Sequence, residues 1–140
     1  MKKLVLMTVC LLTVYGHVYA QGNNKIIVKV DRINSADGTI NVALFNSEKD
    51  FLNKAFMSKV KKANTGELEF EFEDVPNGEY TISIYHDENE NGELDKNFIG
   101  IPDEPYGVSR EGRSMFGPPN YDDAKFILAN ENAKLIISLD

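Results

Sequence analysis

Cysteine and histidine, which carry much of the metal and nucleophilic chemistry of proteins, are nearly missing from this chain. The 140 residues include one cysteine, Cys10, and two histidines. Cys10 lies in an N-terminal run typical of a secretory signal, so the exported chain would contain no cysteine. That excludes disulfides, a thiolate metal site and a cysteine nucleophile. His86, the one histidine beyond the signal, cannot form a zinc site alone.

The first twenty residues (1–20) have the parts of a cleaved signal peptide. Lys2 and Lys3 form the basic start, and residues 4–14 form the apolar run. That run is too short to span a bilayer, and a poor approach sequence disfavours a lipid anchor on its cysteine. We therefore expect an exported protein, periplasmic or extracellular, with a single domain over residues 21–140.

Basic residues are scarce relative to acidic ones. Residues 21–140 contain 13 basic and 22 acidic side chains, a formal charge of −9. Such a charge argues against nucleic acid and anionic membrane surfaces as partners. We expect a protein or small-molecule partner, no membrane insertion, and a monomer or weak oligomer. No G-x-S-x-G motif accompanies His86, so a serine hydrolase triad is not indicated.

The chain beyond the signal reads as short strands separated by turns. In residues 67–73, Leu68, Phe70 and Phe72 alternate with glutamates, which is typical of an antiparallel strand with one wet face. The turn Pro-Asn-Gly at 76–78 is expected to join this strand to an adjacent antiparallel strand, whose Tyr80, Ile82 and Ile84 should face the same core. The pattern predicts an all-β antiparallel sandwich of six to seven strands. The other predicted strands cover residues 25–33, 39–46, 79–86, 124–128 and 133–139, with 57–63 as an ambiguous lysine-rich edge strand.

One short helix and one long loop complete the prediction. Ser47 begins a segment with capping-box-like spacing, followed by apolar pairs four apart within residues 51–56, which predicts two helical turns. Residues 97–120 are rich in proline and glycine. We expect an ordered loop there, folded onto the sandwich by its apolar residues, namely Phe98, Ile99, Ile101, Tyr106, Val108, Met115 and Phe116.

The most informative motif is D-x-N-x-N-G-x-x-D at residues 87–95, here called the acidic loop. Oxygen-bearing side chains recur at every second position, and Gly92 permits a tight turn. This spacing can turn several oxygens toward one point, as a calcium ion requires. The predicted ligands are the side chains of Asp87, Asn89 and Asn91, the backbone carbonyl of Glu93, and Asp95 directly or through water.

The twelfth position of this motif departs from a complete calcium loop. Phe98 stands where a bidentate glutamate is expected, so Asp103 or Glu104 would have to supply the missing carboxylate. Residues 87–104 hold seven carboxylates and one lysine, and such a cluster repels itself unless a cation neutralises it. The alternative is a solvated turn, because Asn, Asp and Gly also favour turns.

The arginines of the long loop and His86 each have more than one interpretation. Arg110 and Arg113 flank Gly112 and could hold a carboxylate or phosphate, or could pair with nearby acids, which the excess of acid favours. His86 is interpreted as a surface or strand-end histidine rather than a ligand.

Three segments together resemble a known family. They are F-E-D-V-P-N-G-E-Y at 72–80, H-D-E-N-E-N-G-E-L-D at 86–95, and G-I-P-D-E-P-Y-G at 100–107. They closely resemble the exported bacterial family catalogued as domain of unknown function 2141, over residues 25–139. The resemblance implies an immunoglobulin- or transthyretin-like (prealbumin-like) sandwich and export. It also implies that the acidic loop and the 100–107 loop form one feature, and it supplies no activity.

The leading hypothesis is a secreted, non-enzymatic module whose acidic loop binds calcium and stiffens the following loop into a partner- or ligand-binding surface. A small transthyretin-like hydrolase is the first alternative. Such enzymes need paired histidines, and His86 stands alone. The second alternative is a purely structural domain without metal.

Overall fold

A computed structural model of the chain describes residues 24–112 and 117–140. The predicted signal peptide lies outside the described residues, as do Arg113, Met115 and Phe116. Within the described ranges the structure has eight strands, one short helix and two 3₁₀ turns. The strands are β1 (Asn24–Ile33), β2 (Thr39–Phe45), β3 (Met57–Lys62), β4 (Gly66–Val75), β5 (Gly78–Asp87), β6 (Tyr106–Val108), β7 (Phe126–Leu128) and β8 (Ala133–Ser138). The helix is α1 (Tyr121–Ala124), and the 3₁₀ turns are Glu48–Asp50 and Ser109–Glu111.

The strands form two sheets with a common core. One sheet has the order β4-β1-β8, and the other has the order β3-β2-β5-β6, with β7 pairing to the start of β5. All pairs are antiparallel except β1 with β8, which is parallel. The predicted all-β sandwich is therefore confirmed. The strand absent from the prediction is β6, which lies inside the segment expected to be a loop.

The core confirms the predicted faces but corrects one predicted pairing. Phe70 and Phe72 of β4 and Ile82 and Ile84 of β5 are fully buried. However, β4 pairs with β1 and β5 pairs with β2, so the turn after β4 carries the chain from one sheet to the other. The alternation of apolar residues specifies which face is buried, but it does not specify the neighbouring strand. The prediction of β4 and β5 as adjacent partners was wrong.

The helix predicted from Ser47 is also wrong in extent. The segment forms only the 3₁₀ turn Glu48–Asp50, and Leu52 has a left-handed backbone with φ of 58°. Phe51 instead packs edge-on against Phe45 and Tyr121, with ring centroids 5.5 and 5.6 Å apart. A two-turn helix gains little from its own hydrogen bonds, so these tertiary contacts decide the local conformation.

Both open sides of the sandwich are bridged. On one side lies β3, the lysine-rich edge strand, where Lys61 donates to the Glu69 carbonyl and lies 5.1 Å from the centre of the Phe70 ring. On the other side, Tyr106 and Asp140 exchange two backbone hydrogen bonds. No helix within the described part of the chain is long and apolar enough to cross a membrane.

Candidate functional site

The acidic loop begins where β5 ends, and its first residue is buried. Asp87 is 2% exposed, and its two carboxylate oxygens accept the backbone N–H groups of Asn91 at 3.0 Å and Gly92 at 2.8 Å. Gly92 has φ of 83°, a left-handed conformation that glycine adopts at low cost. The spacing of aspartate and glycine thus folds the chain back over the end of the strand.

The two asparagines and Asp95 complete a network. The side-chain oxygens of Asn89 and Asn91 accept the backbone N–H groups of Asn91 and Glu93, at 3.0 and 2.9 Å. Their side-chain amides donate to the two oxygens of Asp95, at 2.6 and 2.9 Å. Four predicted ligand residues, Asp87, Asn89, Asn91 and Asp95, therefore share one network. Glu93 enters this network through its backbone N–H, and its side chain is exposed.

Glu104 closes the base of the loop. It is 7% exposed, and its oxygens accept the backbone N–H groups of Glu88 at 2.9 Å and Asp95 at 3.0 Å. Asp103 donates its backbone N–H to the Asp95 carbonyl at 2.8 Å while its side chain is exposed. Of the two carboxylates proposed to complete the site, the structure brings in Glu104.

Three residues outside the predicted ligand set anchor the loop. The Nε2 atom of His86 lies 2.7 Å from the Asp37 carbonyl oxygen, and the Tyr85 hydroxyl donates to the Gly92 carbonyl at 3.0 Å. Gly38, with φ of 66°, packs so closely on Asp87 that a Cβ would lie 1.9 Å from the Asp87 carbonyl oxygen. The Asp-Gly dipeptide at 37–38 is a turn signal, and the loop packs on that turn.

The structure contradicts one part of the prediction for His86, its place at the surface. It does lie at the end of a strand, but it is 1% exposed and is not a surface residue. Its Nδ1 atom lies 3.9 Å from the Glu88 carboxylate. Burial and the nearby negative charges of Asp87, Glu104 and Glu93 raise the pKa of Tyr85 next to it. The environment at the end of β5 is thus negative in potential and partly shielded from water.

The acidic loop offers the type of ligand atom that a hard cation prefers, because its donor atoms are oxygens. Across the described ranges, no group of three or more His, Cys, Asp or Glu side chains could hold a metal ion. Any ion here would therefore depend on the amide and backbone oxygens as well as on Asp87 and Asp95. Each amide oxygen keeps a second lone pair, and a cation would replace the two amide donors as the partner of Asp95. Calcium accepts such a mixed oxygen set.

Next to the acidic loop, a small hairpin exposes apolar side chains. Lys96 pairs with Pro102, and the Asn97 side-chain oxygen accepts the backbone N–H groups of Ile99 and Ile101, both at 3.0 Å. Phe98, Ile99 and Ile101, here called the apolar tip, are 99%, 64% and 54% exposed. The prediction that these three would pack onto the sandwich was wrong, because the hairpin satisfies its own backbone and points away. Val108 does pack inward and is 3% exposed.

The fold and the loop define a small β-sandwich module with an oxygen-lined acidic loop at one end. A family model described as an uncharacterized protein conserved in bacteria (DUF2141) matches residues 28–136, which is most of the chain. The chain belongs to this family. No curated protein and no solved structure matches the chain.

Proposed function

We propose that this protein is an exported, non-enzymatic β-sandwich module whose acidic loop binds calcium and holds the adjacent apolar tip in place for a partner or ligand. The observation that carries the proposal is the shared network of Asp87, Asn89, Asn91 and Asp95. The sequence spacing alone predicted these residues as ligands, and their oxygens and amides meet within one short loop.

Charge gives the second argument for a cation. Among the ion pairs of the described residues, none joins a lysine or arginine to any of the seven carboxylates in residues 87–104. Backbone and amide donors satisfy the hydrogen bonds of Asp87, Asp95 and Glu104 without cancelling their charge. A bound divalent cation would cancel two of these charges. Calcium suits a flexible loop with carbonyl ligands better than magnesium, which demands strict octahedral geometry.

The link between the loop and the apolar tip supports the second half of the proposal. Asp95 donates its backbone N–H to Glu104 and accepts the backbone N–H of Asp103, so it joins both ends of the hairpin that carries the tip. An ion at Asp95 would therefore restrain that hairpin. Exposed apolar side chains on an ordered support are typical of an interaction surface.

A transthyretin-like hydrolase finds less support. His86 is buried and bonded to the Asp37 carbonyl, so it is poorly placed as a general base for an external substrate. Paired histidines are missing from residues 21–140.

Thermal unfolding with and without calcium tests the proposed metal site. Calcium at a hundredfold excess over its Kd should add about 2.7 kcal/mol to the free energy of unfolding, which is roughly a ten-degree rise in Tm. Asp87→Ala should abolish this rise because it removes a ligand and a full charge. Glu88→Ala is the matched control and should keep it, since Glu88 is exposed and its carboxylate lies beside His86 Nδ1, at 3.9 Å, rather than among the proposed ligands.

Magnesium at the same concentration should produce a smaller shift than calcium. If millimolar calcium leaves the wild-type melting curve unchanged, the acidic loop is only a turn and the purely structural alternative stands. Intact mass of the exported protein tests the remaining part: we expect a chain that begins at Gln21, and a mass that retains residues 1–20 contradicts export with cleavage.

A further inference from the structure

A second feature of the molecule lies away from the acidic loop. An open cleft of about 730 Å³ lies between the end of β1, β6, the turn after β6, and β8. This is the size of a small-molecule site. It shares no lining residue with the acidic loop. The lining residues are Arg32, Val108, Arg110, Ile136, Ile137, Ser138 and Asp140.

The distribution of arginine marks this cleft. The chain has twelve lysines but only three arginines, and both arginines in the described residues line the cleft. Arginine presents a planar fork of donors that matches carboxylate and phosphate oxygens, whereas lysine offers a point charge. Lysine serves the ion pairs on the outer face of β4, at Glu67, Glu69, Glu71 and Glu73. In the described residues, arginine therefore lies at the cleft, whereas these lysines lie on the outer face of the sheet.

Both arginines also have an unfavourable backbone conformation. Arg32 has φ of 58° and Arg110 has φ of 52°, in the left-handed region that residues with a Cβ resist. Arg32 lies where the β1–β4 register shifts, and Arg110 lies within a 3₁₀ turn. Glycine or asparagine would fit these backbones better.

The two guanidinium groups differ in their partners. Arg110 donates one hydrogen bond to the Lys125 carbonyl at 3.3 Å and makes no ion pair with any residue that the structure describes. The excess of acid had favoured an ion pair for it. Arg32 pairs with Asp140 at 2.8 Å, and both side chains are more than half exposed. An incoming anion could therefore bind Arg110 directly. At Arg32 it would replace the carboxylate of Asp140.

The apolar part of the remaining lining comes from Val108, Ile136 and Ile137, beside the polar residues Ser138 and Asp140. Val108 and Ile137 are nearly buried beneath the cleft, and Ile136 on the edge strand β8 is 64% exposed. We propose that this cleft binds a small organic anion, with a carboxylate or phosphate held by Arg32 and Arg110 and an apolar body resting on the exposed side chain of Ile136. The pairing of forked cations with an apolar wall selects such an amphiphilic ligand over an inorganic ion or a neutral one.

Calorimetric titration with octanoate tests this proposal on the full exported chain. Octanoate should bind with one-to-one stoichiometry. Two probes separate the parts of the site: 1-octanol has the apolar body without the charge, and inorganic phosphate has the charge without the body. Each should bind at least about tenfold more weakly than octanoate, since each lacks one set of contacts. Equal binding of octanol or of phosphate overturns the proposal, as does an absence of octanoate binding at millimolar concentration.

Substitution to asparagine removes the cation and keeps a residue that tolerates the left-handed backbone. Arg32→Asn and Arg110→Asn should each weaken octanoate binding about tenfold or more without lowering Tm. Lys134→Gln is the matched control, because it removes one positive charge from β8 outside the cleft. If the control weakens binding as much as the arginine variants do, net charge explains the effect and the site does not exist.

Discussion

Two sets of carboxylates in this molecule have opposite surroundings. On the outer face of β4, Glu67, Glu69, Glu71 and Glu73 each lie within 4 Å of a lysine from β1 or β8. In residues 87–104, no lysine or arginine among the described residues pairs with any of the seven carboxylates, and Asp87, Asp95 and Glu104 are bonded to backbone and amide donors instead.

The difference shows what a carboxylate does in each setting. On the sheet, alternation places charge on the wet face, and cross-strand lysines neutralise it at the surface, where each pair contributes little to stability. In the loop, the carboxylates organise a tight backbone and leave their charge uncancelled. The first set is neutralised by lysines at the surface, and the second set is the one for which we propose a cation from solution.

The largest expected effect on stability compares a phenylalanine near each set of carboxylates. Phe70→Ala should lower the free energy of unfolding by about 3–5 kcal/mol, because Phe70 is fully buried under the glutamate face. Phe98→Ala, in the apolar tip, should change it by less than about 0.5 kcal/mol, because Phe98 is 99% exposed. Urea unfolding of both variants checks this. Similar losses for the two would mean that the apolar tip is packed in solution.

The next effect concerns the turn that supports the acidic loop. Gly38→Ala should cost roughly 3 kcal/mol or more and should weaken calcium binding, because its Cβ would collide with the Asp87 carbonyl oxygen. Gly66→Ala is the control: it also has a positive φ but no atom within 4 Å of the added Cβ. It should cost only about 1–2 kcal/mol and leave calcium binding intact. Equal losses would show that Gly38 matters only for its own backbone.

The same substitution in each set compares them directly. Glu104→Gln should cost about 1–3 kcal/mol, because it leaves one of the two backbone N–H donors at the base of the loop facing an amide. Glu71→Gln, on the sheet, should leave Tm at neutral pH nearly unchanged, since its ion pair with Lys25 is at the surface. A larger loss for Glu71→Gln than for Glu104→Gln would reverse the comparison.

The smallest effect is a dependence on pH. The hydrogen bond and charge of Lys25 lower the pKa of Glu71 from its ordinary value of 4.5. Its contribution is therefore present above that value and is lost as the pH falls through the lowered pKa. In unfolding experiments below pH 4.5, Glu71→Gln should lose stability with a shallower slope than the wild type. Parallel slopes would mean that the ion pair does not persist in solution.

Sequence reasoning succeeded where a short local pattern carries the physics. Alternation identified the buried faces of β4 and β5, because a strand with one wet side must place apolar residues at every second position. It failed for the helix expected at Ser47, where the packing of Phe51 on Tyr121, seventy residues away in sequence, decided the conformation. It also missed β6, whose three residues are too few to show a period.

By itself, the sequence determined the all-β class, the core residues of β4 and β5 and the oxygen-bearing residues of the acidic loop, because periodicity and spacing act between near neighbours. The tertiary structure decided which strands pair and that Glu104, rather than Asp103, closes the loop. It also brought Arg32 and Arg110 to one cleft. Strand pairing and the shared cleft join segments far apart in the chain, and even Glu104 bonds to residues nine and sixteen positions away. They depend on how the two sheets close around the core, which no local pattern records.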